Sequence, residues 1–385
     1  MIVRMKSSNG KQYYPLCLKL AMGFMSLYRV GIIGCGSIAH AHAKAYKALG
    51  LDIVAAADIK KERLMEFGRL YGIKRLYEDY RVMLQKERLD IISICTWPTL
   101  HCEMTVYAAE ANVRGILCEK PMATSLKEAD VMISACRRAG VKLAIGHMRR
   151  FMKLYSKARD ILSSNAIGEP IFIHGMTVGD LLSDGSHLID LIFFFMNDQK
   201  VRWVIGQIDI HERRRRYGHY VEDAAIGYFE FEDGIRAFIE VSQMTGSQVP
   251  IGKFGFTEES IFQDLERVKK INWWRRGVKY CSIRIVGTDG RIEVGEWEEE
   301  KLKLRGKGNS EWQVIRVEEV NPFVEEIRDL IRSIEEDREP LCSGEKARQT
   351  IEIIMAIYES ARRKEIVILP LEIDYNPLSL IIRGE

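Results

Sequence analysis

Three short stretches of the 385-residue chain bring together residue types that could do chemistry: GCGSIA at Gly34–Ala39, CEKP at Cys118–Pro121 and DGSHLID at Asp184–Asp190. In the first, Gly34 permits a tight turn, Gly36 leaves room for a phosphate to approach the backbone, and Ala39 is small where a helix meets a strand. A helix opening at Ser37 and Ile38 would present free N–H groups and its positive dipole end to that phosphate. Asp58 closes the next apolar run, the place of an acid that accepts from a ribose 2′-hydroxyl. A lone G-x-G-x-x-A is a weak signal. With a strand before it, a helix after it and Asp58 beyond, it reads as a dinucleotide site. A carboxylate repels a 2′-phosphate and Ile59 adds no positive charge, so NAD is expected; Lys60, Lys61 and Arg63 keep NADP open.

Lys120 follows the fifth apolar run. In a doubly wound sheet that is the carboxyl end of a strand, at the mouth of the cofactor crevice. An ammonium there could polarise a carbonyl or move a proton, or it could simply pair with Glu119 or another acid. His187 lies in the first turn of a helix, with Asp190 one turn later. Histidine is the usual base near neutral pH, although on an apolar helix it is more often structural.

The elements that must hold these residues alternate. Strands are read at 29–33, 52–57, 73–76 (the short IKRL), 90–96, 115–119 and 141–146, with helices at 38–49, 60–72, 78–85 (the short EDYRVMLQ), 101–111 and 125–140 between them. Continuous apolar strands alternating with helices imply a parallel sheet covered on both faces, an NAD(P)-binding Rossmann domain over residues 28–148. The pattern then changes. After helices at 151–163 and 186–196 come long strands of alternating polarity, and the turns in FEDGIR and GTDGRI are hairpin signals. Helices at 321–336 and 345–363 follow, the first opened by Asn321 and Pro322. Residues 149–370 therefore read as an α+β domain with a large, mainly antiparallel, open-faced sheet, and 371–385 as a tail. Residues 1–27 read as an extension without a motif, with Met25 as an alternative start.

Composition sets limits. The formal net charge is +3, which does not point to nucleic acid or an acidic membrane. The one basic run, Arg213–Arg216, reads as a solvated turn between strands. None of the eight cysteines forms a CxxC pair, and no Cys/His cluster has zinc spacing, so no metal is expected. Cysteines inside apolar runs, such as Cys95 and Cys118, suit a reducing compartment and a cytoplasmic protein. No apolar run reaches the length of about 18 residues that a membrane helix needs.

From Tyr28 to Pro370 the chain resembles the glucose–fructose oxidoreductase / inositol dehydrogenase / rhizopine-catabolism (Gfo/Idh/MocA) family. The resemblance is carried in order by YRVGIIGCGSIA, AAADIKKER, YEDYRVML, TWPTLH, ILCEKPMATS, GHMRRF, NAIGEP, DGSHLID, NPFVEEIRDLI, IYESARR and VILPL. It implies hydride transfer between nicotinamide and a sugar, inositol or related polyol, and a homo-oligomer, dimer or tetramer, joined through the open-faced sheet. It maps the family's catalytic lysine onto Lys120, its histidine onto His187 and a substrate-side arginine onto Arg150. It also sets Thr96, Trp97 and His101 of TWPTLH, and Glu119 with Lys120, beside the cofactor. Two departures stand out. The family's usual Asp falls on Ser183, with Asp184 displaced by one, and the stretch from Pro170 to His187 is short. Ser183 and Asp184 are nonetheless expected at the substrate. A one-residue shift would turn Asp184 away unless the loop is rebuilt, and Asp190 is close enough in sequence to assist His187.

The expected activity is that of an NAD(P)-dependent dehydrogenase or reductase. The rivals are a non-catalytic dinucleotide sensor, favoured by Ser183, and a redox-neutral NAD-dependent glycosidase or epimerase. The chain is predicted to bind NAD at least as tightly as NADP because of Asp58. Calorimetric titration of both cofactors checks this; clear NADP preference, unaltered in Asp58→Ala, would contradict it.

Overall fold

The computed structural model describes residues 28–211, 213–242, 281–296, 301–318 and 320–385. The expectations for residues 1–27 lie outside the described residues.

Strands β1 (Arg29–Ile33), β2 (Asp52–Ala57), β3 (Arg75–Tyr77), β4 (Ile91–Ile94), β5 (Gly115–Cys118) and β6 (Lys142–Ile145) form a parallel sheet in the order β3-β2-β1-β4-β5-β6. Runs such as IISI and GILC are buried throughout, because helices cover both faces. These are α1 (Ser37–Ala48), α2 (Lys61–Tyr71), α3 (Tyr80–Lys86), α4 (Pro98–Glu110) and α5 (Leu126–Ala139). Local chemistry sets their ends: the Ser125 side chain accepts from the Glu128 N–H, and Gly72 and Gly140 end α2 and α5 in the left-handed conformation. The strand order reverses between β1 and β4, which opens a crevice at the carboxyl ends. Gly34, Asp58, Thr96 and Lys120 all sit at or just beyond such ends.

Helix α6 (Lys153–Ser163) leads to a nine-stranded sheet in the order β16-β15-β14-β13-β7-β12-β11-β8-β17. Its strands are β7 (Pro170–Val178), β8 (Val201–Asp209), β11 (Ala224–Phe231), β12 (Arg236–Ser242), β13 (Cys281–Gly287), β14 (Gly290–Gly295), β15 (Leu302–Arg305), β16 (Gln313–Val314) and β17 (Val367–Ile368). All neighbours run antiparallel except β7 and β12, which a crossover through α7 (Ser186–Phe195) separates in the chain. The basic run forms a separate small hairpin, β9 (Arg214–Arg216) with β10 (His219–Val221).

One face of the large sheet is covered by α7, buried along its whole length, and by α9 (Gly344–Arg363). The paired Gly206 and Gly227 let α9 settle closely: a Cβ on Gly227 would come 2.5 Å from the Ile357 side chain. Phe229 and Phe231 point into this core, whereas Phe238 lies on the opposite face and is only partly buried. Helix α8 (Pro322–Glu335) packs back on the first sheet, where Phe323, Ile327, Leu330 and Ile331 join Val30, Ile32 and Ile91 in one apolar cluster. The first core is thus completed by a helix from near the other end of the chain. The stretch expected as a tail carries helix α10 (Pro377–Arg383), with Leu378 and Ile382 buried and Asn376 Nδ2 donating to the Thr124 carbonyl at 2.8 Å. Among the described residues no helix is long and apolar enough to cross a membrane.

Phe229 meets Phe231 with ring centroids 5.7 Å apart, in full burial. Phe229→Ala should therefore cost about 3–5 kcal/mol of stability. Urea denaturation would show a lower midpoint at unchanged slope; a loss under about 1 kcal/mol would mean the cavity collapses or the ring is not core.

Candidate active site

The glycine loop is built as its residue types require. Gly34 has φ 87°, and a Cβ there would lie 2.7 Å from the Cys95 carbonyl oxygen. At Gly36 a Cβ would meet nothing within 4 Å, so the backbone faces open space. No side chain caps the N-terminus of α1, where Ser37 is exposed and Ile38 half-buried. Asp58 Oδ2 accepts from the Cys35 N–H at 2.7 Å and Oδ1 from the Lys60 N–H at 2.8 Å, tying the end of β2 to the loop. Ile59 is fully turned outward. An uncapped helix start, an open backbone and an adjacent carboxylate fit a dinucleotide: the loop would hold the pyrophosphate and Asp58 the ribose.

Beyond β4 and β5 the predicted residues divide. Trp97 stands half exposed at the lip of the crevice, and Thr96 is partly buried. His101 is fully buried, with Nδ1 3.0 Å from the Pro121 carbonyl and Nε2 3.1 Å from the Thr96 carbonyl. It ties two loops together and turns neither nitrogen to the crevice, so its expected cofactor contact is replaced by a bracing one. Glu119 is likewise buried. Its carboxylate meets His42 Nε2 at 2.8 Å and accepts from the Lys120 N–H at 3.2 Å. Burial pushes that carboxyl up, but the His42 hydrogen bond and charge outweigh it and hold the group below its ordinary value. Lys120, after which the peptide to Pro121 is cis, donates from Nζ to the Ser183 carbonyl at 2.8 Å. Burial pushes its pKa below the usual lysine value, against the opposing pull of Asp184 and Glu119.

The chain leads into DGSHLID through a π-helical turn over Leu181–Gly185. The N–H groups of both Asp184 and Gly185 reach the Asp180 carbonyl, at 3.0 and 2.9 Å, and Asp180 Oδ1 accepts from the Ser183 N–H at 2.7 Å. A widened turn absorbs one extra residue. Gly179, at φ 110°, leaves the room that the Asp184 carboxylate occupies; any side chain there would collide with it. Asp184 therefore remains at the site, where its charge acts on Lys120. Ser183 Oγ faces His219 Nε2 at 3.5 Å and does not reach His187.

His187 is almost fully buried, and its Nδ1 has no hydrogen-bond partner. Burial, then the cations Arg149 and Lys120 and the nearby His147, push its pKa well below the ordinary histidine value, so the ring is a free base at neutral pH. Asp190 does not assist it. That carboxylate meets Arg150 Nε at 2.9 Å and lies 3.1 Å from His147 Nδ1. Arg150, expected beside the substrate, is sealed in the interior on Asp190 and on Asp198, 2.8 Å away. A buried guanidinium takes the nearest carboxylates, here the fully buried Asp190 and the partly buried Asp198.

Sequence reading passed over Arg216, His219, Glu222 and Tyr358. Arg216 Nη1 bonds Asp180 Oδ2 at 3.0 Å and also Asp184 Oδ2. Glu222 is fully buried; it accepts from the Leu181 N–H and, at 2.8 Å, from the Tyr358 hydroxyl. The only signal for any of these was the run of arginines, which reads equally well as a solvated turn.

Burial, followed by the neighbouring Asp180 carboxylate, pushes the Glu222 carboxyl up to about 7. Its folded pKa is raised, so between about 4.5, the unfolded value, and about 7 the native state holds a proton that the unfolded chain has lost. This group's contribution to stability is greatest below that window and falls as pH rises through it. Melting temperature should thus drop more between pH 5 and pH 8 in the wild type than in Glu222→Gln. Parallel curves for the two proteins would contradict the assignment.

Comparison with known proteins agrees with the two-part fold. Residues 28–147 match the Gfo/Idh/MocA family's part described as "Oxidoreductase family, NAD-binding Rossmann fold", and residues 173–369 match its "C-terminal alpha/beta domain". The chain is 26% identical to D-apiose dehydrogenase of Paraburkholderia graminis over 87% of this chain and 88% of that protein. It is 22% identical to myo-inositol 2-dehydrogenase of Thermotoga maritima over 88% and 98%. In structure it resembles levoglucosan dehydrogenase in complex with NADH and L-sorbose, with TM-score 0.75, 19% identity and coverage of 90% of this chain and all of that one. With both halves matched in order, the chain belongs to the Gfo/Idh/MocA family of oxidoreductases and carries that family's NAD-binding Rossmann domain.

Proposed function

We propose that this NAD-dependent oxidoreductase moves a hydride between nicotinamide and a secondary alcohol carbon of a sugar, inositol or related polyol, with His187 and Lys120 as its catalytic residues. The observation that carries this reading is an almost fully buried histidine whose Nδ1 has no hydrogen-bond partner, within electrostatic reach of Lys120, which stands just beyond the carboxyl end of β5 in the sheet that carries the glycine loop. Relatives named for apiose and inositol support the substrate class. Bound nicotinamide supplies the hydride acceptor. In the oxidation direction His187 accepts the hydroxyl proton. Lys120, steadied by the Ser183 carbonyl and the Asp184 charge, orients the substrate oxygen and stabilises the negative charge that develops on it. Glu119 holds the Lys120 backbone from beneath, and Gly34, Gly36, Ser37, Ile38 and Asp58 hold the cofactor.

The open face of the large sheet supports a homo-oligomer, dimer or tetramer. Ile205, Tyr228, Phe238 and His174 line up across β8, β11, β12 and β7, and Ile171 and Ile226 are also exposed on that sheet. Seven free cysteines among the described residues support a reducing, cytoplasmic setting.

A screen of polyols and sugars by NADH absorbance should identify a substrate. With it, Lys120→Ala and His187→Ala should each lose about 100-fold or more in turnover. Ser183→Ala should lose at most about tenfold, about 1.4 kcal/mol of barrier. Near wild-type turnover in both Lys120→Ala and His187→Ala would overturn the roles. Binding of NAD without turnover of any polyol would favour the sensor reading.

A further inference from the structure

Among the described residues, Arg216 is a guanidinium close to Lys120 to which the reaction just described gives no task. Both of its carboxylate partners are met by a single nitrogen, Nη1. Its guanidinium lies 5.1 Å over the Tyr217 ring, but among the described residues its Nε and Nη2 make no hydrogen bond, and 36% of the side chain is exposed. Asp180 and Asp184 are buried, so they hold the guanidinium from the inside and leave its other edge facing outward. The other arginines of the hairpin are engaged elsewhere: Arg214 pairs with Asp223, and Arg215 lies 4.4 Å over the Tyr220 ring.

The hairpin reaches the crevice. At its turn, a Cβ on Gly218 would lie 3.0 Å from Thr99 Oγ1 and 3.4 Å from the Trp97 ring, on the lip beyond β4. Arg216, two residues earlier, lies within electrostatic reach of Lys120. A guanidinium edge offers paired N–H donors that match the two oxygens of a carboxylate. The hydroxyls of a neutral polyol can accept from those donors in place of water but bring no opposite charge, so that pairing is weaker than the charge-assisted one a carboxylate makes. Of the other cations, Lys120 is the group assigned to the reacting oxygen, and Arg149 is paired with Glu296. One free edge suits a singly charged carboxylate better than a doubly charged phosphate.

We propose that Arg216 recognises a carboxylate on the substrate, so that the preferred polyol is a sugar acid or other polyhydroxy acid. The inference rests on the oxidoreductase reading above. The carboxylate itself is unchanged: the alcohol carbon gives its hydride to NAD⁺ and its hydroxyl proton to the protein, leaving a ketone.

The test compares matched compounds: gluconate with glucitol, galactonate with galactitol, glucuronate with glucose, and a hexose phosphate. Initial rates are read with NAD⁺, and binding of the same compounds is read by quenching of NADH fluorescence in the protein–NADH complex. The acid should exceed its neutral partner by about tenfold or more in kcat/KM, in line with a charged hydrogen bond. In Arg216→Gln that ratio should fall towards one, mainly through KM, and Arg216→Lys, a charge without the fork, should restore only part of it. Equal or better use of the neutral or phosphorylated partner by the wild type would overturn the proposal. If nothing is oxidised, the dehydrogenase reading fails, and binding decides this one: tighter binding of acids that Arg216→Gln abolishes supports it, and equal binding of acid and neutral partner overturns it.

Discussion

An ammonium drawn partly out of water, as Lys120 is, must find charge and hydrogen-bond partners, because burial without them is unfavourable. Lys120 meets that requirement with the Ser183 carbonyl and the charges of Asp184 and Glu119. Much of the surrounding architecture follows from it. The Ser183 carbonyl is presented by a π-turn, and the turn is held by Asp180, by Glu222 on the Leu181 N–H, and by Arg216 across both aspartates. Gly179 is needed because the Asp184 carboxylate takes the place of a side chain.

The same site depends on how the two halves of the molecule are joined. Helix α8 completes the core beneath the first sheet, and α10 reaches the loop after Lys120 through Asn376. His101 braces the loop beyond β4 against the one beyond β5. The β9–β10 hairpin crosses from the second half to the lip formed by Trp97 and Thr99. Residues that would face cofactor and substrate are therefore held from several directions, as reacting groups must be if their spacing is to be kept to a fraction of an ångström.

Two buried charge systems sit close together and play different parts. Arg150 with Asp190 and Asp198 is sealed, so it ties α7 to the segment before α6. Arg216 with Asp180 and Asp184 is open on one edge, so it can answer to a ligand. A sealed pair gives rigidity and specificity of packing, while an open one keeps donors for recognition.

The sequence by itself determined what short-range periodicity and turn chemistry control. Both sheets, the glycine loop after β1, the acid after β2, the position of Lys120 beyond β5 and the helix bearing His187 were legible, because apolar runs, alternation and caps act over a few residues. Tertiary structure decided the partners of charges. Arg150 and Asp190 lie 40 positions apart, and Arg216 and Asp184 lie 32 apart, and nothing local says which carboxylate either guanidinium will meet. The assignment of Asp184 turned on a π-turn whose extra residue has no compositional mark. The docked helix α10 and the bracing role of His101 were hidden for the same reason: each depends on a surface supplied by distant parts of the chain, and burial there sets the energy of a polar contact.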